Sequence, residues 1–547
     1  MSTSEYPAHA PRPGWGERRT SALASVRALS ADMWLLAALI GLAAVIRIVI
    51  LDNQSLWADE ALTAYEAGLP FGAMLHTVAH VETTPPLYFV VIWAWAKVFG
   101  TGAVALRSVS AIAGVAVVPI AYACARELAW RRAGVIAAAL VAVNPFMLWY
   151  SQEARAYMLL AALTGASFLF FARARRDPSR ANLAWWAGLS AAAVMTHFFG
   201  GFLVAPEALW LLWQRRTAAT VIAVGIVGAV QLAMLPFAVS DASGSHGVGW
   251  IGRVSRVHRV ATTVVEWGAS NLYRRTTNAE GLALGAALII AVVLILTFGG
   301  ERRARRGAAV AAAIAAFVFI VPLALGLVGQ DYFLSRNEIP AFVPVVTVIA
   351  AACAAPRARV AGAALAVILL GIFCASAVEV QTHAYLGRPD WRNVARALGP
   401  ALVPRAILAA DGTTADPLKI YLPGVNWVQP HARRVLVSEI DIVGATKRLR
   451  LTDGSALSSS PPVSSSSLLP GGTGSASRRR RGVSLPRSVA PAGTRLIARF
   501  RVDNWVVARF ALDRPQRVSV DSLTRRAPKF FRQTPAALLV FMQPAAR

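Results

Sequence analysis

From residue 33 onward the chain alternates long apolar blocks with short polar or basic interruptions. "MWLLAALIGLAAVI" (33–46), "GLALGAALIIAVVLILTF" (281–298) and "GAAVAAAIAAFVFIVPLALGLV" (307–328) are clear cases. A run of roughly 18 or more apolar residues spans a hydrocarbon core about 30 Å thick. The pattern predicts about eleven helical spans, near 32–51, 103–125, 133–149, 155–172, 182–197, 200–213, 217–239, 281–298, 308–329, 339–355 and 360–380. "PPLYFVVIWAWAKVFG" (85–100) is apolar too, but it carries Lys97 and is short once its prolines are passed. It is expected to lie along the outer interface, where Trp and Tyr are favoured.

Basic clusters orient the spans. Arg126/Arg131/Arg132, Arg173/Arg175/Arg176/Arg180, Arg215/Arg216, Arg302/Arg303/Arg305/Arg306 and Arg357/Arg359 fall between apolar blocks. Placing all of them in the cytoplasm satisfies the positive-inside rule. Had 85–100 crossed the membrane, every later loop would change sides. The polar tail 1–31 is then cytoplasmic, and it lacks a clean cleavage site, so 32–51 is a retained first span. Residues 32–380 form the membrane-embedded domain, with a first outer loop at 52–102 and the C-terminus outside the cell membrane.

After residue 380 the pattern changes. Residues 388–424 predict an amphipathic helix, a strand at 405–410 and a second helix, and strand-like alternation resumes in 494–512. Between them, 455–482 is rich in Ser, Pro and Gly, ends in four arginines, and has too few apolar residues to form a core. The expected fold is an all-α polytopic membrane bundle with a small C-terminal extracytoplasmic α/β domain (381–547).

Composition supports this and narrows the partners. The chain is 56% hydrophobic and 15% charged, against about 25% charged in soluble domains. Its formal net charge is +27, but through residue 380 the basic residues sit in interhelical clusters without a stacking aromatic face. That excludes nucleic acid as the partner and leaves membrane lipids. Cys124, Cys353 and Cys374 lie in or beside apolar runs, with neither disulfide nor metal spacing.

A second pattern, not used to orient the spans, appears once they are threaded. Asp59/Glu60, Glu82, Glu153/Arg155, His197 and Asp331/Arg336 all fall at outer span ends or in outer loops. Helix capping alone accounts for Asp59 and Glu60, and for Ser151 and Glu153. It does not account for Arg155, a cation near a helix N-terminus. Arg107 and Arg336 also suit interfacial anchors, and His197 suits a structural residue. Together these groups suit a reaction between an anionic, lipid-borne group and a neutral nucleophile. A carboxylate takes a proton from a hydroxyl, and arginines bind a phosphate leaving group.

The stretch "LDNQSLWADEALTAYEA … ETTPPLYF … FGTGAVALRSVSAIAGVAVVPIAY … WYSQEARAYMLL … THFFG" resembles the membrane glycosyltransferases of the GT-C superfamily. The closest branch holds protein O-mannosyltransferases, the lipid A aminoarabinose transferase and rhizobial lipopolysaccharide glycosyltransferases. The resemblance implies a GT-C type bundle and inverting transfer from a polyprenyl-phosphate sugar donor to an extracytoplasmic acceptor, whose identity it leaves open. It implies Asp59 as catalytic base with Glu60 in support. Arg107 matches the arginine that begins the next span, and Arg155 and Arg336 become donor-phosphate contacts. Arg107, Glu153 and His197 are further donor-phosphate or substrate-binding candidates. Relatives often carry His or Lys before the Pro-Pro; Thr83 and Thr84 stand here, with Glu82 further back, free to bind acceptor hydroxyls or a metal. No metal site is assigned, although carboxylates at 59, 60, 82 and 153 are numerous enough for a divalent cation. Two other readings stay open: a lipid-linked-sugar flippase or secondary transporter, and an inactive relative. The chain lacks the internal repeat typical of transporters.

Overall fold

The computed structural model describes residues 15–82, 84–237, 251–383, 386–410, 416–422, 433–445, 493–502, 505–527, 530 and 538–545. The Ser-rich 455–482 segment and Thr83 lie outside the described residues. The first helix, α1, runs Trp15–Ile48, so helix extends back into the predicted polar tail. Three short helices follow: α2 (Ala58–Gly68), α3 (Phe71–Val81) and α4 (Leu87–Phe99). The bundle continues with α5 (Ala103–Leu128), α6 (Arg131–Val143), α7 (Pro145–Ser151), α8 (Tyr157–Arg176), α9 (Arg180–Thr196), α10 (Gly200–Gln214) and α11 (Ala218–Ala233). After α12 (Arg256–Ala269) come α13 (Asn278–Gly299), α14 (Arg302–Leu327), α15 (Phe342–Cys353) and α16 (Arg359–Thr382).

Among the described residues, seven helices are long and apolar enough to cross a membrane, or eight if the bent pair α6–α7 is one span. The sequence predicts about eleven; the difference lies in α9, α10 and α15, which are helical where spans were expected but run only 17, 15 and 12 residues. The chain is a multi-pass membrane protein on either count.

Helices approach closely where side chains are small, because hydrocarbon offers little drive for association beyond packing itself. A Cβ on Gly307 of α14 would lie 2.0 Å from the carbonyl oxygen of Leu128 on α5, so only glycine permits this contact. The break between α6 and α7 bends the chain by 56°. Pro145 cannot donate to the preceding turn, and the Asn144 side chain caps α7 by accepting from Met147 N at 2.9 Å. The carbonyls freed by the break find a partner in Arg47 of α1, which donates to Ala142 O at 2.8 Å and Val141 O at 3.1 Å.

The C-terminal unit is a five-stranded mixed sheet of order β3-β4-β2-β1-β5. Its strands are β1 (Arg405–Ala410), β2 (Val435–Ala445), β3 (Thr494–Val502), β4 (Trp505–Val518) and β5 (Leu538–Gln543). Among the described residues only β1 and β2 pair in parallel. Both faces are covered, as alternate residues of β1 record. Ala406 and Leu408 pack with Val520 and Leu523 of a helix at Val520–Arg526, whereas Ile407 and Ala409 pack with Trp391 and Val394 of a helix at Trp391–Leu398. A strand buried on both sides carries no polar alternation, and "RAILAA" has none.

Candidate active site

Helix α2 begins at the end of the bundle where α1 and α5 meet the first loop, and Asp59 and Glu60 occupy its first turn. Their roles diverge sharply. Glu60 is fully buried. Its Oε1 accepts from Arg107 Nε at 2.7 Å and Ala154 N at 2.9 Å, and its Oε2 accepts from Arg107 Nη2 at 2.6 Å and Trp57 N at 3.2 Å. A carboxylate offers about four acceptor sites, so Glu60 is saturated. Burial alone would raise its proton affinity, but Arg107, the charge of Arg388 and the Ala154 amide more than offset this and hold it below the usual carboxylate range.

Arg107 is saturated in turn. Besides Glu60 it donates to the carbonyls of Leu51 (2.8 Å), Gln54 (2.7 Å) and Ser55 (3.0 Å). It therefore fastens the start of the first loop to α5 and has no N–H left for a phosphate, which departs from the substrate-binding role expected of it. By contrast, Asp59 is half-buried, and among the described residues its carboxylate takes no hydrogen bond.

The turn between α7 and α8 supplies the next groups. Sequence reasoning placed Ser151 as a cap with Glu153 in a first turn. Instead Ser151 Oγ donates back to Met147 O at 2.6 Å and accepts from Arg47 Nε at 3.1 Å, and α8 starts only at Tyr157. Residues 152–156 thus form a tight turn, closed by Arg155 N to Glu153 O at 2.8 Å. Arg155 reaches Glu82 through two parallel bonds, Nη1 to Oε1 at 3.0 Å and Nη2 to Oε2 at 2.9 Å. Glu153, only 2% exposed, meets Arg388 instead, Nη2 to Oε2 at 3.0 Å, and its Oε1 has no partner. Burial pushes the Glu153 carboxyl up, with Arg388 the largest opposing influence.

Arg336 completes the group. Its guanidinium lies 5.8 Å from the Tyr157 ring, and among the described residues it forms no ion pair or hydrogen bond; its Nε is buried without a partner. Asp59 and Glu153 are near enough for their charges to act on it. His197, following the last residue of α9, sits 5.9 Å from the same tyrosine ring, ring centre to ring centre. Its Nδ1 accepts from Phe199 N at 3.2 Å. Because Nδ1 accepts, the ring is neutral here and offers an Nε2–H donor but no charge. Asp331, grouped with Arg336 in the sequence, turns away to Arg259 of α12 at 2.6 and 2.5 Å.

All eight predicted residues therefore converge, but in two classes. Glu60, Glu82, Glu153, Arg107 and Arg155 are paired, with Oε1 of Glu153 left over, whereas Asp59, Arg336 and His197 have no ion pair among the described residues. The carboxylates at 59, 60, 82 and 153 do not assemble as a ligand set, since three of them face arginines; among the described residues no cluster of three or more His, Cys, Asp or Glu suits a metal ion. Sequence reasoning missed three groups. Arg47 was visible as a cation inside "AVIRIVI", where an intramembrane charge flags a structural or functional demand. Arg388 opens the "RPDWRN" motif. Glu66 of α2 is fully buried with both oxygens unpartnered. Burial first, then the neighbouring Glu82, raises its pKa to about 9 against the pull of Arg155.

Residues 83–239 match the family model described as dolichyl-phosphate-mannose-protein mannosyltransferase. Among solved structures the chain is similar to ArnT from Cupriavidus metallidurans in the apo state, with 16% identity, a TM-score of 0.49, and 72% of this chain and 85% of that chain covered. It is also similar to the Archaeoglobus fulgidus oligosaccharyltransferase in the apo form, with 14% identity, a TM-score of 0.44, and 66% and 57% covered. A third similarity is to the S. cerevisiae protein O-mannosyltransferase Pmt1-Pmt2 complex bound to the sugar donor, at 18% identity, a TM-score of 0.31, and 43% and 36% covered. No curated protein matches the chain. The family match takes in Arg107, Glu153, Arg155 and His197, and over residues 83–239 it agrees with the resemblance read from the motifs.

Proposed function

We propose that the protein transfers a sugar, with inversion, from a polyprenyl phosphate to a hydroxyl-bearing acceptor on the extracytoplasmic side of the membrane. One observation carries this reading: Asp59 is a carboxylate without a hydrogen bond, and it lies near Arg336, a guanidinium equally without one. A base and an anion-binding cation within range of each other's charge, both uncommitted, are what the reaction needs.

In this reading the acceptor hydroxyl loses its proton to Asp59 as its oxygen attacks the anomeric carbon. The bond from that carbon to the phosphate oxygen breaks, and its electron pair leaves on the phosphate. Arg336 stabilises the departing charge by paired N–H bonds, and the neutral His197 adds an N–H donor. Arg155, held by Glu82 through Nη1 and Nη2, acts through its charge and through the N–H groups that this pair leaves over. Glu60 and Arg107 hold the loop on which Asp59 rides.

The test is transfer from a panel of radiolabelled decaprenyl-phosphate sugars to cell-envelope extract, with purified full-length protein. Transfer from one donor, lost in Arg336→Ala and Asp59→Asn, supports the reading and names the sugar. Folded protein that moves label between leaflets of a vesicle but transfers none would replace it with the flippase reading.

A further inference from the structure

The segment leading from α16 into the sheet domain runs back across the candidate site. Ser55 Oγ donates to Pro389 O at 2.8 Å and accepts from Trp391 N at 3.0 Å, while Gln54 Oε1 accepts from Arg388 N at 3.1 Å. Further out, Tyr421 OH accepts from Leu56 N at 2.8 Å and Arg392 pairs with Asp52 at 2.7 Å. These bonds tie residues 52–56, which precede Asp59, to the C-terminal domain.

Arg388 reaches deepest. Besides Glu153 Oε2 it donates to Gln152 O at 3.1 Å and Trp149 O at 3.4 Å, and its guanidinium carbon sits 4.4 Å from the Trp149 ring centre. Fixed by these carbonyls and the ring, the guanidinium anchors one oxygen of Glu153 through a charge-assisted bond. The remaining oxygen, Oε1, is buried and unpartnered, a costly arrangement in a folded protein unless a ligand completes it. An ionised carboxylate only accepts hydrogen bonds, so the completing group is an O–H or N–H, as a sugar presents.

We propose that Arg388 is a positioning residue for the transfer site: it fixes Glu153 so that the free Oε1 is presented to a substrate hydroxyl beside Asp59 and Arg336. This rests on the glycosyl-transfer reading. It makes the C-terminal domain part of the catalytic unit, since Arg388 is placed by the same bonds that dock the domain. Arg388 also opposes protonation of Glu153, so its removal should leave that carboxyl neutral more of the time.

Two readouts on full-length protein in detergent test the proposal, comparing wild type with Arg388→Ala and Arg392→Ala; the latter removes an exposed docking bond and leaves Glu153 alone. Carbodiimide-driven coupling of an amine at Glu153, followed by peptide mass spectrometry, requires a protonated carboxyl. It should rise several-fold in Arg388→Ala and stay unchanged in Arg392→Ala. In transfer assays Arg388→Ala should lower kcat by about 10- to 100-fold, the scale of a slightly misplaced reacting group, with partial rescue by added ethylguanidinium. Unchanged labelling or unchanged kcat in Arg388→Ala overturns the proposal. Parallel losses in both variants without rescue also overturn it, reducing Arg388 to a docking contact. Absence of transfer by wild type overturns the functional reading and the catalytic role of Arg388 with it, while the labelling still reports whether Arg388 holds Glu153.

Discussion

Glu60 and Arg107 meet in a two-pronged ion pair, Nε to Oε1 at 2.7 Å and Nη2 to Oε2 at 2.6 Å, with both side chains at most 1% exposed. Removing one partner of such a pair strands the other charge in the interior, at a cost of about 3–5 kcal/mol. Glu60→Gln and Arg107→Ala should each lower the thermal midpoint markedly in detergent, and activity should fall with folded protein rather than ahead of it. A variant that keeps its midpoint but loses transfer would assign a chemical role to the residue changed.

Two buried carboxyls give opposite pH signatures. The Glu60 carboxyl is held below its ordinary range in the folded state, so its contribution is present above the unfolded pKa and lost as pH falls through the folded one. Glu66 is raised from 4.5 to about 9. Between those values the unfolded chain is ionised while the folded one keeps its proton, so stability falls as pH rises. Glu66→Gln cannot ionise in either state. Its thermal midpoint relative to wild type should therefore climb between about pH 5 and pH 9; a constant difference across that window would contradict the burial assigned to Glu66.

A Cβ on Gly114 of α5 would fall 2.2 Å from Ser151 Oγ and 3.1 Å from Arg47 Nε. Gly114→Ala should push Ser151 off Arg47 and loosen the turn that carries Glu153 and Arg155. Overpacking of this kind costs about 1–3 kcal/mol, measurable as a lower midpoint. Gly114→Ala combined with Ser151→Ala should recover part of the loss.

Much of this was legible in the sequence, and the gaps have definite causes. Apolar block lengths placed the helices of the bundle, because the hydrocarbon thickness sets them. The strand at 405–410 and the strand-like alternation in 494–512 announced a small α/β unit, whereas β2 and β5 and the mixed strand order came only from the structure. Motif order brought eight site residues together, but residue type does not say who pairs with whom. Arg107 and Arg155 both stood as substrate-binding candidates, yet one is saturated by Glu60 and three carbonyls, and the other is clasped by Glu82. Arg47 and Arg388 act across more than ninety residues of separation, a range at which local pattern carries no signal.

Arg336, uncommitted in the structure, should govern affinity for the lipid phosphate. Arg336→Ala should weaken decaprenyl-phosphate binding by at least about tenfold, the worth of a charge-assisted bond. Arg336→Lys should recover only part of this, because an ammonium lacks the planar fork. Binding can be read by the protection the lipid gives against thermal unfolding, and equal protection of wild type and Arg336→Ala would place the phosphate elsewhere.

The central claim is the division of labour between neighbours: Asp59 reacts and Glu60 holds. The most direct measurement is the single-turnover transfer rate of Asp59→Asn in a preparation whose thermal midpoint matches wild type. The account predicts a rate lower by about 100-fold or more, the scale of a lost general base, with lipid-phosphate binding retained. A wild-type rate in folded Asp59→Asn protein would contradict it and move the base to another carboxylate.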